Sequence, residues 1–337
     1  MPERRVLFSR LASTTLVATL GVILWGAYVR ASGSGAGCGR HWPVCNGAVV
    51  PPSPTTATLI EYTHRLTSGL SLILVVAMTI AAFKIMPRGH VARRASAATL
   101  FFMLTEAAVG AALVLFEKVA GDKSLGRAWF MGAHLINTFL LLGSLSVVVW
   151  SARASVDGGA TAEPHRFVFG QRKGSALLVG SGLFAVLATG VTGAIAALGD
   201  TLFPARSLAE GLAADLDAQA HLFVQLRALH PFVAVASAVH LIIVASTFAR
   251  SSTPVVRRAA HTTGLFAALQ VALGIINLVL LAPIAMQLVH LLVADFLWMS
   301  LVVLAASAHL ESASAHAVES DAVDEHDDEH TDAPNEA

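Results

Sequence analysis

Eight apolar stretches, each long enough to cross a lipid bilayer, constrain the fold of this 337-residue chain more than any other feature. They cover residues 10–29, 59–85, 94–116, 127–150, 173–198, 220–249, 257–281 and 284–309. A helix needs about 20 apolar residues to span the hydrocarbon core of a membrane. The chain is 55% hydrophobic and 13% charged, and its formal net charge at pH 7 is zero. We therefore predict an all-α integral membrane protein with eight transmembrane helices, in contact with the lipid bilayer and with no nucleic acid.

The distribution of Lys and Arg predicts on which side of the membrane each connection lies. Most of these residues occur at the amino terminus and in the second, fourth and sixth connections. Loops rich in Lys and Arg stay in the cytoplasm, so both termini are predicted to be cytoplasmic in a multi-pass protein of the plasma (cytoplasmic) membrane. The carboxy-terminal segment 311–337 is rich in Asp, Glu and His, which predicts a disordered acidic cytoplasmic tail.

The two halves of the chain follow a similar pattern, which predicts two pseudo-repeated four-helix bundles. The third stretch, "LFFMLTEAAVGAALVL", aligns with the seventh, "LFAALQVALGIINLVL", so that Glu106 matches Gln270 and Gly110 matches Gly274. The predicted units are an amino-terminal bundle (1–150), a cytoplasmic linker (151–172), a carboxy-terminal bundle (173–310) and the tail (311–337).

Four histidines occupy one predicted layer of the membrane: His64, His134, His230 and His290. Each lies about five to ten residues inside an even-numbered stretch, or roughly 8–15 Å deep at 1.5 Å per residue. The second and fourth helices of a four-helix bundle can face each other, and two opposed neutral imidazoles suit the axial positions of haem iron. A single membrane histidine can instead make only an interhelical hydrogen bond. Zinc is less well suited, because no set of three or four ligands is evident.

The motif "EYTHR" places Glu61 three residues before His64, on the same face of a helix. A carboxylate beside a haem ligand can move protons or stabilise developing positive charge. The alternative is an ion pair with Arg65 that only anchors the helix. Superposing His230 on His64 puts Arg227 in place of Glu61, so the halves are not chemically equivalent, and Arg227 is predicted to pair with a haem propionate.

Both cysteines of the chain, Cys38 and Cys45, lie in the first predicted external loop. Two cysteines on an oxidising face favour a disulfide, with free thiols or a metal site as the alternatives. His240 lies ten residues deeper than the histidine layer and is predicted to be a polar packing residue. The sequence assigns no role to Glu106 or Asp295, which are either neutral hydrogen-bonded carboxyls or parts of a proton path.

Taken together, these features resemble the heme A synthase family, membrane enzymes that make haem A for terminal oxidases. The resemblance covers nearly the whole chain and includes the loop "GSGAGCGRHWPVCNG", the "EYTHR" motif and a histidine on each even-numbered helix. It implies oxidation of a ring methyl of haem O to a formyl group, with haem O as the substrate and haem b as the cofactor.

The resemblance also implies a role for individual residues. Glu61 would be the catalytic carboxylate. His64 and His134 would flank the iron of the substrate haem in the amino-terminal half, and His230 and His290 would ligate the iron of a resident haem b in the carboxy-terminal half. Cysteines at the positions of this loop pair occur in one branch of the family, and the loop between the fifth and sixth helices carries no second pair.

A haem O synthase and an electron donor are the protein partners that such an enzyme implies. The sequence does not identify the donor, the oxidant or the oligomeric state. The alternative function is a bis-histidine membrane cytochrome b that only transfers electrons. That alternative explains all four histidines but leaves Glu61 and the cysteine loop without assigned chemistry.

Overall fold

The computed structural model describes the backbone of residues 2–156 and 173–329 and the side chains of residues 2–156 and 174–309. Its helices are α1 Pro2–Ala31, α2 Thr56–Ile85, α3 Val91–Leu115, α4 Leu125–Val156, α5 Lys173–Leu202, α6 Leu208–Leu216, α7 Leu222–Arg227, α8 Leu229–Phe248, α9 Pro254–Val279 and α10 Ile284–Glu329. These ranges contain no β-strand, and they include eight helical spans long and apolar enough to cross a membrane. The predicted fold class is therefore confirmed.

The sixth predicted helix, residues 220–249, is divided in the structure. α7 ends at Arg227 and α8 begins at Leu229, with Ala228 between them. Pro231 lies in the first turn of α8, where a missing backbone N–H is tolerated because that group has no intrahelical acceptor. The two helices still form one span, Leu222–Phe248, as predicted, and the interruption at Ala228 lies two residues before His230.

Local capping explains where several other helices begin. Thr55 caps α2 by accepting a hydrogen bond from the backbone N–H of Thr58, at 3.2 Å. Ser207 caps the short helix α6 in the same way, at the N–H of Glu210, also at 3.2 Å. Pro254 opens α9, at a position where its fixed backbone angle favours a helix.

The membrane helices pack in two groups of four. α1 contacts α2 and α4, and α3 contacts the same two helices; α5, α8, α9 and α10 form a similar group. Contacts of α4 and α1 with α5 and α10 join the two groups. The internal repeat, the division into domains and the disorder of the tail stay predictions. Residues 157–172 of the linker and 330–337 of the tail lie outside the described backbone, whereas α10 continues through residues 311–329 of the predicted tail.

The buried apolar clusters lie towards one end of the helices. Trp298 on α10 stacks on Phe139 of α4, with ring centroids 5.2 Å apart, and its indole N–H donates to the Phe139 carbonyl at 2.5 Å. Both residues lie further into their helices than His290 and His134, as do the other cluster members on α2, α4, α8 and α10. We call the opposite end, where the loops 32–55 and 203–221 lie, the histidine end.

Candidate functional site

The structure brings the four predicted histidines to the histidine end as two pairs. His64 on α2 and His134 on α4 lie within electrostatic range of each other in the first group of helices. His230 on α8 and His290 on α10 do so in the second group. All four imidazoles are half-buried, so each pair presents two nitrogen donors inside an otherwise apolar bundle.

Each histidine ring lies against a glycine of the preceding long helix. If a Cβ atom is built on each glycine, its nearest ring atom is Cε1 of the histidine in every case. The distances between these two atoms are 2.8 Å for Gly26–His64, 4.0 Å for Gly110–His134, 3.0 Å for Gly193–His230 and 3.3 Å for Gly274–His290. Real Cβ atoms essentially never approach another atom closer than 3.0 Å. Gly26 is therefore required by the present position of the His64 ring, whereas a side chain at Gly193 or Gly274 would need the neighbouring ring to shift by a few tenths of an ångström.

In each half, a polar side chain of the preceding helix also approaches the second histidine of the pair. The two side chains, Glu106 and Gln270, occupy matching positions in the sequence alignment of the halves. Glu106 on α3 lies 3.3 Å from Nδ1 of His134 and accepts hydrogen bonds from Asn137 at 2.5 Å and from Thr138. Gln270 on α9 has its amide nitrogen 3.1 Å from Nε2 of His290. Glu106 is thus a hydrogen-bonded carboxyl at the first pair, a role that the sequence left open.

Glu61 is almost completely buried, with 3% of its surface exposed, and both carboxylate oxygens have partners. Oε1 accepts a hydrogen bond from Arg65 at 2.5 Å, and Oε2 accepts one from the backbone N–H of Cys38 at 2.8 Å. The predicted i, i+4 ion pair is therefore present. It is buried rather than solvent-exposed, so it is weakly screened by water and salt.

Arg65 also fastens the cysteine loop to α2. Its Nη1 donates to the carbonyls of His41 and Val44, at 2.6 and 2.7 Å. The loop is held further by Gly37, whose carbonyl accepts a hydrogen bond from Thr58 at 2.9 Å. A Cβ at Gly37 would lie 2.4 Å from backbone atoms of Ala57, so only glycine allows the loop to approach α2 this closely.

The predicted disulfide between Cys38 and Cys45 is present, and both residues are buried. Because the Cys38 N–H donates to Glu61, the bond lies in the loop segment that orients this carboxylate. The free-thiol and metal alternatives for these cysteines are excluded in this structure. Among the described residues, no group of three or more His, Cys, Asp or Glu side chains is placed to hold a metal ion.

Arg227, which replaces Glu61 when the halves are superposed, is already paired with two carboxylates. Its Nη1 lies 2.9 Å from Asp200, and its Nη2 lies 2.6 Å from Asp215. Arg227 also donates through Nε to Asp215, at 2.8 Å. Arg227 is thus paired with carboxylates of α5 and α6 in this structure, and its pairing with a haem propionate stays a prediction.

Two polar residues deeper in the second group behave differently. His240 bonds through Nε2 to the hydroxyl of Ser181, at 2.9 Å, as expected for a polar packing residue. Asp295 is fully buried, and neither of its carboxylate oxygens has a hydrogen-bond partner among the described side chains and backbone.

The histidine pairs fit haem iron by their donor chemistry. Nδ1 of His64 and of His290 is buried without a hydrogen-bond partner in the described structure, and Nδ1 of His134 has the Glu106 carboxylate 3.3 Å away without a well-formed hydrogen bond. Nδ1 of His230 lies 3.1 Å from the hydroxyl of Thr192, an arrangement that fixes the ring and leaves the other nitrogen for a ligand. Two neutral imidazoles at each site are the set that a six-coordinate haem takes.

The fold and the site define a class: a helical membrane protein of eight spans, with paired histidines at one end and a disulfide loop packed over one pair. The model of the COX15-CtaA family, described as cytochrome oxidase assembly proteins, matches residues 9–302. The chain belongs to this family.

Individual relatives match over different parts of the chain. A protein of Thermus thermophilus named protoheme IX farnesyltransferase is 44% identical over 296 residues, which are 86% of this chain and 47% of that protein. The heme A synthase of Geobacillus thermodenitrificans is 39% identical over 142 residues, 41% of this chain and 43% of that enzyme. The heme A synthase of Bacillus licheniformis is 36% identical over 138 residues, 41% of this chain and 44% of that enzyme. The chain thus spans about half the length, or less, of these curated relatives.

Proposed function

We propose that this protein is a heme A synthase, which oxidises a ring methyl of haem O to a formyl group to give haem A for terminal oxidase assembly. The observation that carries the proposal is the placement of Glu61. Its buried carboxylate is fixed by the Cys38 N–H and by Arg65, on the same helix and three residues from His64. An electron-transfer cytochrome requires no carboxylate at this position, whereas a reaction with proton transfers does.

In this proposal the two histidine pairs have different functions. His64 and His134 hold the haem O whose methyl group reacts, because this pair lies beside Glu61 and Glu106. His230 and His290 hold a resident haem b, which when bound supplies a one-electron redox centre. The amino-terminal pair is thus the substrate site and the carboxy-terminal pair the cofactor site.

The chemistry assigned to Glu61 follows from the atoms that change. Conversion of CH₃ to CHO takes two successive two-electron oxidations by an external oxygen-donating oxidant, each of which adds one oxygen atom, to give first CH₂OH and then CH(OH)₂. The geminal diol then loses one water to leave CHO. Loss of water requires one hydroxyl group to lose a proton and the other to gain one. A positioned carboxyl group can carry out both proton transfers. The Arg65 guanidinium holds the Glu61 side chain in position through the hydrogen bond at 2.5 Å.

Location and partners follow from the same proposal. The eight spans place the protein in a membrane, and we assign it to the plasma membrane with both termini cytoplasmic and the cysteine loop external. Its substrate would come from a haem O synthase, and the T. thermophilus relative carries the name of such a farnesyltransferase. An electron donor completes the set of partners.

The activity is tested in a bacterial host that makes haem O and lacks a heme A synthase. Expression of the full-length protein should give haem A in the membrane fraction, identified by chromatography and mass. A host with the empty vector provides the baseline. A folded, membrane-inserted protein that leaves haem O unchanged would support the cytochrome b alternative instead.

Cys38→Ser should lower haem A formation by about tenfold while the resident haem b stays bound. Without the disulfide the loop is free to move, and Glu61 loses the fixed N–H donor at 2.8 Å; one hydrogen bond to a charged group contributes roughly 1.5–3 kcal/mol. Haem A and haem b are measured in the same purified sample. Loss of both haems together would contradict a role confined to the amino-terminal site.

Gly193→Ala should displace the His230 ring and reduce the haem b content. The new methyl group would lie 3.0 Å from Cε1, and overpacking of this kind typically costs about 1–3 kcal/mol. Gly110→Ala is the matched control, since its Cβ lies 4.0 Å from the His134 ring, an ordinary contact. The measurement is haem b per protein with the reduced absorption spectrum, and equal haem b in the two variants would be inconsistent with the assigned site.

A further inference from the structure

Arg30, at the end of α1, reaches from the first group of helices into the second. Its Nη1 donates to the Ala197 carbonyl at 2.9 Å and to the Thr201 hydroxyl at 3.0 Å, both on α5. Its Nη2 donates to Oε1 of Gln287 on α10, at 2.8 Å. One guanidinium therefore connects three helices at the histidine end.

These contacts place Arg30 beside the second histidine pair rather than the first. Ala197 lies one helical turn after Gly193, the glycine in contact with the His230 ring. Gln287 lies three residues before His290, on the same face of α10. Arg30 thus stands within about one turn of the helix segments that carry both rings of the His230–His290 pair, on the side towards the loops.

The charge of Arg30 has no hydrogen-bonded counter-ion in the described part of the chain. Its three acceptors are a carbonyl, a hydroxyl and an amide oxygen, all neutral. The nearby carboxylate of Asp200 is within electrostatic range but bonds to Arg227. A half-buried cation whose hydrogen-bond acceptors are all neutral gains from a directly bonded anion, because charge-assisted hydrogen bonds are roughly twice as strong as neutral ones.

Haem carries two propionate carboxylates on one edge of an otherwise apolar ring. In a membrane bundle that edge turns towards the nearer aqueous face, which here is the histidine end. Arg227 is already bonded to Asp200 and Asp215. Arg127 lies on α4, in the first group of helices, and donates to the backbone carbonyls of Ala120 and Asp122. Arg30 is therefore the cation best placed to receive a propionate at the second pair.

We propose that Arg30 binds a propionate carboxylate of the haem b held by His230 and His290, so that the amino-terminal half supplies a positioning residue to the carboxy-terminal site. This inference rests on the haem b site of the proposed function. Under the predicted repeat, Arg30 corresponds to Ala197, since each lies four residues after a glycine that contacts a histidine ring. α5 therefore supplies no arginine to the His64–His134 pair. This difference suits a permanent cofactor at the second pair and an exchangeable haem at the first.

The test compares Arg30→Gln and Arg30→Lys in the purified full-length protein. Arg30→Gln should release haem b to an acceptor apoprotein about 10- to 100-fold faster, as expected for the loss of one charge-assisted hydrogen bond. It should also lower the haem midpoint potential, because the positive charge that stabilises the reduced haem is gone. Arg30→Lys keeps the charge and should retain most of the potential.

Arg40→Gln is the matched control for removing a cation from the same end of the molecule. Arg40 pairs with Glu117 at 3.2 Å, and its side chain is 71% exposed, so water screens its charge. This variant should change neither haem release nor potential. If Arg30 only joins the two helix groups structurally, Arg30→Gln and Arg30→Lys should destabilise the protein equally and leave the haem midpoint potential unchanged. That result would overturn the proposal.

A chemical variant of the ligand tests the contact without relying on a mutant fold. Native protein freed of haem is reconstituted with haem b and with haem b dimethyl ester, in which both carboxylates are blocked. The ester should dissociate faster from native protein, and Arg30→Gln should reduce that difference. Equal dissociation rates of the two haems from native protein would refute the contact. Absence of haem A formation with the ester effect intact would instead contradict the proposed function.

Discussion

His230→Ala and His290→Ala are each expected to remove the resident low-spin haem b almost completely. Each substitution deletes one of two axial donors in a site whose walls are apolar, and a remaining single imidazole leaves the iron five-coordinate. The structure makes the effect specific, because these two rings lie together in one helix group while His64 and His134 lie in the other. The measurement is haem b per protein together with the reduced absorption spectrum.

His240→Ala provides a matched control on the same helix as His230. His240 bonds to Ser181 at 2.9 Å and belongs to neither pair, so its loss should cost some stability and leave haem b bound. His64→Ala should likewise retain haem b while abolishing haem A formation. Normal haem b content and an unchanged spectrum in both His230→Ala and His290→Ala would exclude the pair as ligands.

Glu61→Gln is expected to reduce haem A formation by about 100-fold or more, the usual contribution of a positioned acid–base group. Glutamine keeps the size of the side chain and an oxygen that can accept from the Cys38 N–H, and Arg65 keeps its two carbonyl partners, His41 and Val44. The cysteine loop should therefore stay in place, and haem O should accumulate in the protein without being oxidised.

Arg65→Gln separates a chemical role of Glu61 from an anchoring role. It breaks a buried ion pair, at a cost of about 3–5 kcal/mol, and removes both bonds to the loop carbonyls. This variant should lose bound haem O as well as activity, whereas Glu61→Gln should lose activity alone. If the two variants behave alike and neither retains haem O, Glu61 acts only as an anchor.

Several elements of the fold and site were predictable from sequence because their signals are local. The length of each apolar stretch determined the spans, and the spacing of the histidines from the start of their helices predicted a common layer. The alignment of Gly110 with Gly274 and of Glu106 with Gln270 indicated matching positions, and each of these residues contacts or approaches a histidine ring.

Other features depend on tertiary contacts that no local pattern carries. The acceptors of Arg65 in the loop are backbone carbonyls, which every residue has, so sequence could not distinguish them. Arg227 is neutralised by Asp215 from the short helix α6, which was not predicted, and by Asp200 at the end of α5. Arg30 reaches helices more than 160 residues away in sequence, as its contact with Ala197 across 167 positions shows.

The proposed function requires that this protein acts on haem O and does not only transfer electrons through haem b. The most direct measurement is the mass of each haem extracted from the full-length protein purified from a host that makes haem O. We expect haem b together with haem O, its hydroxylated form or haem A, and Glu61→Gln should shift the second component towards haem O. Haem b as the sole haem in folded native protein would contradict the claim.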